Sequence, residues 1–270
     1  MNQKAEPDTL IALLKTFRLT TMAGELETVE NRAMEENWSY RQYLQELCGI
    51  EATVRHQRKL ERLLKSSGLP EGKTLANFDQ KRLPLKLRTH LASLLEGHFV
   101  QRNENILAFG LPGRGKTHCL CALGRELILR HGISVLFIPT FKLVQQLLAA
   151  KRDLALEKQL ARLDRYQVII LDDIGYVQQS REEMEVLFTF FAERYERKSL
   201  MITSNLVFSQ WERIFHDPMT TMAAIDRLVH HSHILEFGGA SQRAAVASKA
   251  KSKTASKTPA NRNVGKKKNP

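Results

Sequence analysis

The chain has 270 residues, with 41 Lys and Arg against 29 Asp and Glu, a net charge of +12. That length suits one sizeable core and a smaller accessory unit, and no run approaches the ~18 apolar residues of a membrane span. The polar start from Met1 to Asp8 lacks a leader-peptide segment, so a cytoplasmic protein is expected. Cys48, Cys119 and Cys121 form no CxxC pair, which argues against a disulfide framework or a cysteine zinc site.

In chain order, Leu10, Leu13, Leu14, Phe17, Met22 and Leu26 recur at mostly helical spacing and predict an amphipathic helix or helix pair. A second helix is expected after Ser39, a capping residue, carrying Tyr40, Tyr43, Leu44 and Leu47 and running into a basic segment. There Arg55, Arg58, Lys59, Arg62 and Lys65 fall at offsets of three and four. On a helix they share one face, which suits a phosphate backbone or an ordinary solvated surface. The turn-rich Ser66 to Gly72 closes this array. An irregular connector from Leu75 to Lys86 follows, and then helical spacing through Leu87, Leu91, Leu94, Leu95 and Phe99.

Ile106 to Thr117 reads as an apolar run entering Gly110, Leu111, Pro112, Gly113, Arg114, Gly115, Lys116 and Thr117, a complete G-x-x-x-x-G-K-[ST] loop. The glycines permit tight curvature that turns backbone N–H groups toward phosphate oxygens, and the next helix offers its positive N-terminus. Lys116 is expected to meet the β- and γ-phosphates and Thr117 to join the coordination of Mg2+. Val135 to Ile138 is an unbroken apolar run suited to a buried parallel strand, and Leu143, Val144, Leu147 and Leu148 supply a covering helix. The charged stretch Lys151 to Arg165 is expected to be helical. This alternation predicts an α/β fold with a parallel sheet between helices and ligand sites at the strands' carboxyl ends.

Val168 to Leu171 closes on Asp172 and Asp173, as a metal-binding strand requires. Asp172 is placed to hold Mg2+ and Asp173 to polarise an attacking water. Leu200 to Asn205 is a further strand, ending in Thr-Ser-Asn, with Asn205 best placed to orient that water. Arg227, in Asp226-Arg227-Leu228, either reaches a neighbouring subunit's nucleotide or makes a local salt bridge. His230, His231 and His233 form a cluster, but no neighbouring acid or cysteine completes a metal site, so none is expected there. His233 to Phe237 is the expected final strand. Beyond Ala244 the tail holds Lys249, Lys251, Lys253, Lys257, Arg262, Lys266, Lys267 and Lys268 without an acid, and removing these eight leaves +4 on the rest. A basic excess of this kind suits nucleic acid more than a membrane surface.

These residues resemble those of the IstB-like ATP-binding helpers of insertion-sequence transposases, among the DnaC-type AAA+ ATPases. The resemblance is carried by Glu104-Asn105, the loop followed by Thr117-His118, Leu171-Asp-Asp-Ile-Gly-Tyr176, Arg194-Tyr-Glu-Arg197, Thr-Ser-Asn205 followed by Trp211, and Asp226-Arg-Leu228 with His230-His231. It implies a helical N-terminal partner or DNA-binding region (1–70), a connector and helix (71–101), a P-loop AAA+ domain (102–243) without a separate lid, and a basic tail (244–270). It further implies ATP and Mg2+ as ligands, ATP hydrolysis, homo-oligomer formation with ATP on duplex DNA, and cooperation with a cognate transposase. A replicative-helicase loader on the same ATPase is the alternative. By residue it implies Gly110 to His118 as nucleotide contacts, Thr117 and Asp172 at the metal, Asp173 and Asn205 at the reacting water, and Arg227 acting in trans. The chain departs from the AAA+ pattern in having Asp173 where Glu is general, which bears on hydrolysis rate. It also has Ser241-Gln242-Arg243 where family members show Ser-Tyr-Arg.

Overall fold

The computed structural model describes residues 8–175, 180–206, 226 and 228–238. Trp211, Arg227, Arg243 and the basic tail lie outside the described residues. The chain divides into two compact units, Met1–Ser66 and Ser67–Pro270.

The first unit is helical: α1 (Asp8–Thr16), α2 (Thr20–Glu35) and α3 (Tyr40–Ser67), the last running one residue past the division. The apolar pattern from Leu10 to Leu26 resolves into a helix pair because Arg18 takes a left-handed backbone, φ 59°, and turns the chain. Ser39 and Gln42 start α3 with a reciprocal cap: the Gln42 N–H donates to Ser39 Oγ at 3.3 Å and the Ser39 N–H to Gln42 Oε1 at 2.9 Å. Met22, Val29 and Leu47 form the small core, with Leu26, Trp38 and Ile50 packed on it. Glu51, 4% exposed, accepts the first N–H groups of α2, from Thr21 at 2.8 Å and Met22 at 3.0 Å, and the Arg55 guanidinium at 2.6 Å. An anion is favoured at a helix N-terminus, so one carboxylate on α3 holds the start of α2. After Ser67, Gly68 at φ 65° ends the helix in the way glycine commonly does.

The second unit opens with the connector, which contains a short 3-10 turn at Gln80–Arg82, followed by α4 (Leu85–Leu94) and α5 (His98–Gln101). It then alternates β1 (Asn105–Phe109), α6 (Lys116–His131), β2 (Val135–Pro139), α7 (Thr140–Arg152), α8 (Leu156–Leu163), β3 (Val168–Asp172), α9 (Arg181–Arg194), β4 (Ser199–Ser204) and β5 (Ser232–Glu236). The charged stretch expected to be helical is interrupted at Leu154, φ 53°, which separates the end of α7 from α8. The strands form one sheet in the order β2-β3-β4-β1-β5, with every pairing parallel. The continuous apolar runs account for this: both faces of β1 and β3 are covered, and Ile106, Leu107, Ala108, Val168, Ile169 and Ile170 are fully buried. Such burial contributes roughly 1.5–3 kcal/mol per large aliphatic side chain. Helix α6 lies close against the sheet at Gly124, where a Cβ would stand 2.7 Å from Ile170 Cδ1.

Ser180 caps α9 in a full capping box with Glu183. At the other end of α9, Arg194 is 2% exposed and donates to the carbonyls of Leu163, Tyr166, Gln167 and Ser199 at 3.0 to 3.3 Å. Burial lowers its pKa to about 10, with Asp164 opposing that shift and Arg197 adding to it. Arg194 therefore ties the segment before β3 to the start of β4. Among the described residues no helix is long and apolar enough to cross a membrane.

Candidate functional site

At the carboxyl end of β1 the chain must turn sharply into α6 without filling the space above the sheet. Gly110, Gly113 and Gly115 do this at φ 144°, 80° and 94°. A Cβ on Gly110 would stand 2.4 Å from the Phe237 carbonyl oxygen, while the Phe237 N–H donates to Phe109 O at 2.7 Å, so the segment after β5 closes on the loop and only glycine fits. Gly115 is the residue before α6, whose first residues are Lys116 and Thr117. The start of α6 therefore stands at the loop, which is the geometry of an anion cradle. Leu111 and Pro112 are exposed at its tip, and Arg114 and Thr117 are half-buried.

Lys116 is 6% exposed, and its ammonium donates to Gly110 O at 2.5 Å, Leu111 O at 3.1 Å and Asn205 Oδ1 at 2.6 Å. The Asn205 amide in turn donates to Asp173 Oδ1 at 2.8 Å. One line of hydrogen bonds thus joins the lysine, the asparagine and the second carboxylate across β1, β4 and β3. Asp173 itself has φ 63°, a left-handed turn directly after the strand that brings it into this line. Asp172 Oδ1 accepts the Thr203 hydroxyl at 2.8 Å, and Thr203 Oγ1 accepts the Asp173 N–H at 2.8 Å. Thr203 therefore orients one carboxylate through its side chain and pins the backbone of the other.

Sequence reasoning passed over two of these features. Thr203 stood in the Thr-Ser-Asn run, but which of the three faces the carboxylates depends on strand pleat and register, with Leu171 beside Ile202. The connector also takes part. His118 Nε2 lies 2.9 Å from Thr74 O and its ring centroid 5.1 Å from that of Phe78, so a segment read as irregular packs on the start of α6. Arg227 lies outside the described residues.

Nucleotide phosphates fit this arrangement: three left-handed glycines, a helix start and a buried lysine come together on one loop. A hard cation such as Mg2+ would be held by the Asp172 carboxylate and the Thr117 hydroxyl, an all-oxygen donor pair of the kind it prefers. The two cysteines of α6 take no part. Burial pushes Cys119 to about 12, with Cys121 adding to it, and burial likewise pushes Cys121 to about 12.

The first unit holds a separate feature. Arg55, Arg58, Lys59, Arg62 and Lys65 all line one cleft of about 810 Å³, together with Phe17, Arg18 and Glu61. Leu60 faces the opposite side and is buried. Phe17 and Arg18 come from the turn after α1, far from the stripe in sequence, and Phe17 is 67% exposed. Arg55 is partly committed within the unit, to Glu51 and to the Arg18 carbonyl.

A parallel sheet with β1 between β4 and β5, a glycine loop leading into α6 and a carboxylate pair at the end of β3 define a P-loop AAA+ fold. The crystal structure of DnaI shares this fold, with a TM-score of 0.51 at 21% identity over 64% of this chain and 96% of that one. The model of the IstB-like ATP binding protein family matches residues 12–250, and the chain belongs to that family. A protein of Sinorhizobium fredii, named for an insertion sequence and for ATP binding, is 40% identical over 240 residues, 88% of this chain and 80% of its own. One of insertion sequence IS21 from Pseudomonas aeruginosa, also named for ATP binding, is 38% identical over 87% of this chain and 88% of its own.

Proposed function

We propose that the protein is an ATP-dependent DNA-binding regulator that hydrolyses ATP, assembles with further copies of itself on duplex DNA and assists a cognate transposase. The observation that carries the ATPase reading is the hydrogen-bonded line Lys116–Asn205–Asp173 above the glycine loop. On this reading the loop N–H groups and Lys116 bind the phosphates, anionic oxygens being stronger acceptors for the ammonium than the neutral carbonyls and amide it now meets. Mg2+, when bound, supplies positive charge that stabilises the transferring phosphoryl group. Asp173 accepts a proton from the attacking water, and Asn205, bonded to both Lys116 and Asp173, couples the position of that base to the phosphate site. Thr203 keeps Asp172 and Asp173 at fixed orientation.

The cleft lined by the five basic residues and Arg18 supports DNA contact in the first unit, since clustered guanidinium and ammonium groups track a phosphate backbone. The insertion-sequence names of both relatives support transposition over helicase loading. Two substitutions test the ATPase reading. Lys116→Ala is expected to abolish tight ATP binding in calorimetry. Asp173→Asn is expected to keep ATP binding while lowering turnover by ~10²- to 10⁴-fold. Unchanged affinity in the first variant, or full turnover in the second, refutes the assignment.

A further inference from the structure

His230 and His231 have no acid beside them in sequence, and the fold supplies one. Glu196 lies in the turn between α9 and β4, and the two histidines lie in the turn that enters β5. One carboxylate oxygen and one nitrogen from each ring lie within 4.8 Å of one another. His231 Nε2 stands 3.8 Å from Glu196 Oε1, and the two imidazole centroids are 4.2 Å apart.

The backbone under all three is held. Glu196 sits at φ 56°, and its carbonyl accepts the Asn103 amide at 2.8 Å. Asn105 takes the other side, with its N–H on His231 O at 2.7 Å and its side-chain amide on Leu228 O at 3.2 Å. The Tyr195 hydroxyl lies 3.2 Å from His230 Nδ1, the kind of outer partner that fixes a ligating imidazole. The three side chains are exposed, so an ion can enter and exchange its water.

We propose that Glu196, His230 and His231 form a binding site for a divalent transition ion, with Zn2+ as its natural probe. Two imidazoles and one carboxylate are a donor set that Zn2+ accepts and Mg2+ does not favour. Zn2+ bonds of about 2.0–2.2 Å place neighbouring ligand atoms ~3.3 Å apart, so the 3.8 Å pair closes by a small movement of exposed side chains. Three protein ligands leave a position for water or an incoming group. The site lies where β4 and β5 begin, at the opposite end of the sheet from the glycine loop, and is separate from Asp172.

The test uses the full chain, carrying Cys48→Ser to remove the exposed thiol, purified without a histidine tag, stripped with chelator and kept in millimolar Mg2+. Zn2+ titration by calorimetry is expected to show a one-to-one phase, and Co2+ a visible absorption band. His231→Ala and the nearly isosteric Glu196→Gln are each expected to weaken Zn2+ about tenfold or more and to abolish the Zn2+-induced rise in Tm, whereas His56→Ala changes nothing. Absence of the one-to-one phase in the parent chain, or unchanged affinity in His231→Ala and Glu196→Gln with native circular dichroism, overturns the proposal.

Discussion

Thr203 shows how much of this site rests on a residue with no chemistry of its own. Its hydroxyl donates to Asp172 and accepts from the Asp173 N–H, so removing it loosens the Asp172 carboxylate and the Asp173 backbone at once. Thr203→Val keeps the shape and loses both bonds. On the proposed mechanism it should lower ATP turnover by roughly 10- to 100-fold, the usual effect of losing an outer partner of a metal-site ligand, while ATP affinity measured without Mg2+ stays nearly constant. Turnover equal to that of the parent chain would leave Thr203 a packing residue. The glycine at 110 is decided by contact and not by flexibility alone, because the Phe237 carbonyl occupies the place of a side chain. The motif was legible in sequence, but the partner that makes this glycine necessary sits far along the chain.

Among the elements, α2 depends on an acid from α3. Burial pushes the Glu51 carboxyl up, but the Met22 N–H, the Arg55 guanidinium and the Thr21 N–H together outweigh it and hold the group below its usual range. A carboxylate whose folded pKa is depressed contributes stability that is present above its unfolded value, about 4.3, and is lost as pH falls through the folded value. The Thr21 and Met22 amides should therefore exchange hydrogen faster in Glu51→Gln than in the parent at pH 6, and the difference should shrink as pH falls below about 4. Charge-assisted bonds of this type contribute about 1.5–3 kcal/mol, enough to register in exchange. Equal protection at pH 6 would show that α2 needs no such cap. The periodicity of α3 was readable, yet Glu51 looked like any helix-surface acid, because nothing in local spacing brings it to the start of α2.

At the scale of the whole molecule, the predictions concern assembly and DNA. Arg227→Ala should leave ATP binding by the isolated chain intact and lower both ATPase activity and ATP-dependent assembly, since an arginine reaching a neighbour's γ-phosphate is worth ~10³–10⁵ in rate. Mixed with Lys116→Ala it should regain activity, because each protein supplies the half-site that the other lacks. Mixed oligomers with no activity above the sum of their parts would return Arg227 to a local salt bridge. Deleting 244–270, which carries eight Lys and Arg and no acid, should weaken duplex DNA binding and flatten its salt dependence by about 0.9 in slope per lost phosphate contact. An unchanged slope would make the tail a bystander.

The sequence alone determined the elements and the loop. Short unbroken apolar runs alternating with helical patterns suit strands covered on both faces, and a glycine loop ending in Lys-Thr between such a run and a helical pattern suits a phosphate cradle. Those are local properties, set by periodicity and by backbone freedom. The tertiary structure decided which distant residues meet. It seated β1 between β4 and β5, joined Lys116 to Asp173 through Asn205, set Thr203 against the Asp172 carboxylate and the Asp173 N–H, and brought Glu196 to His230 and His231. It also closed Arg18 and Phe17 over the basic stripe of α3. None of these pairings has a spacing rule, because parallel strands joined by helical crossovers, like helices packed side by side, bring together residues whose separation along the chain is arbitrary.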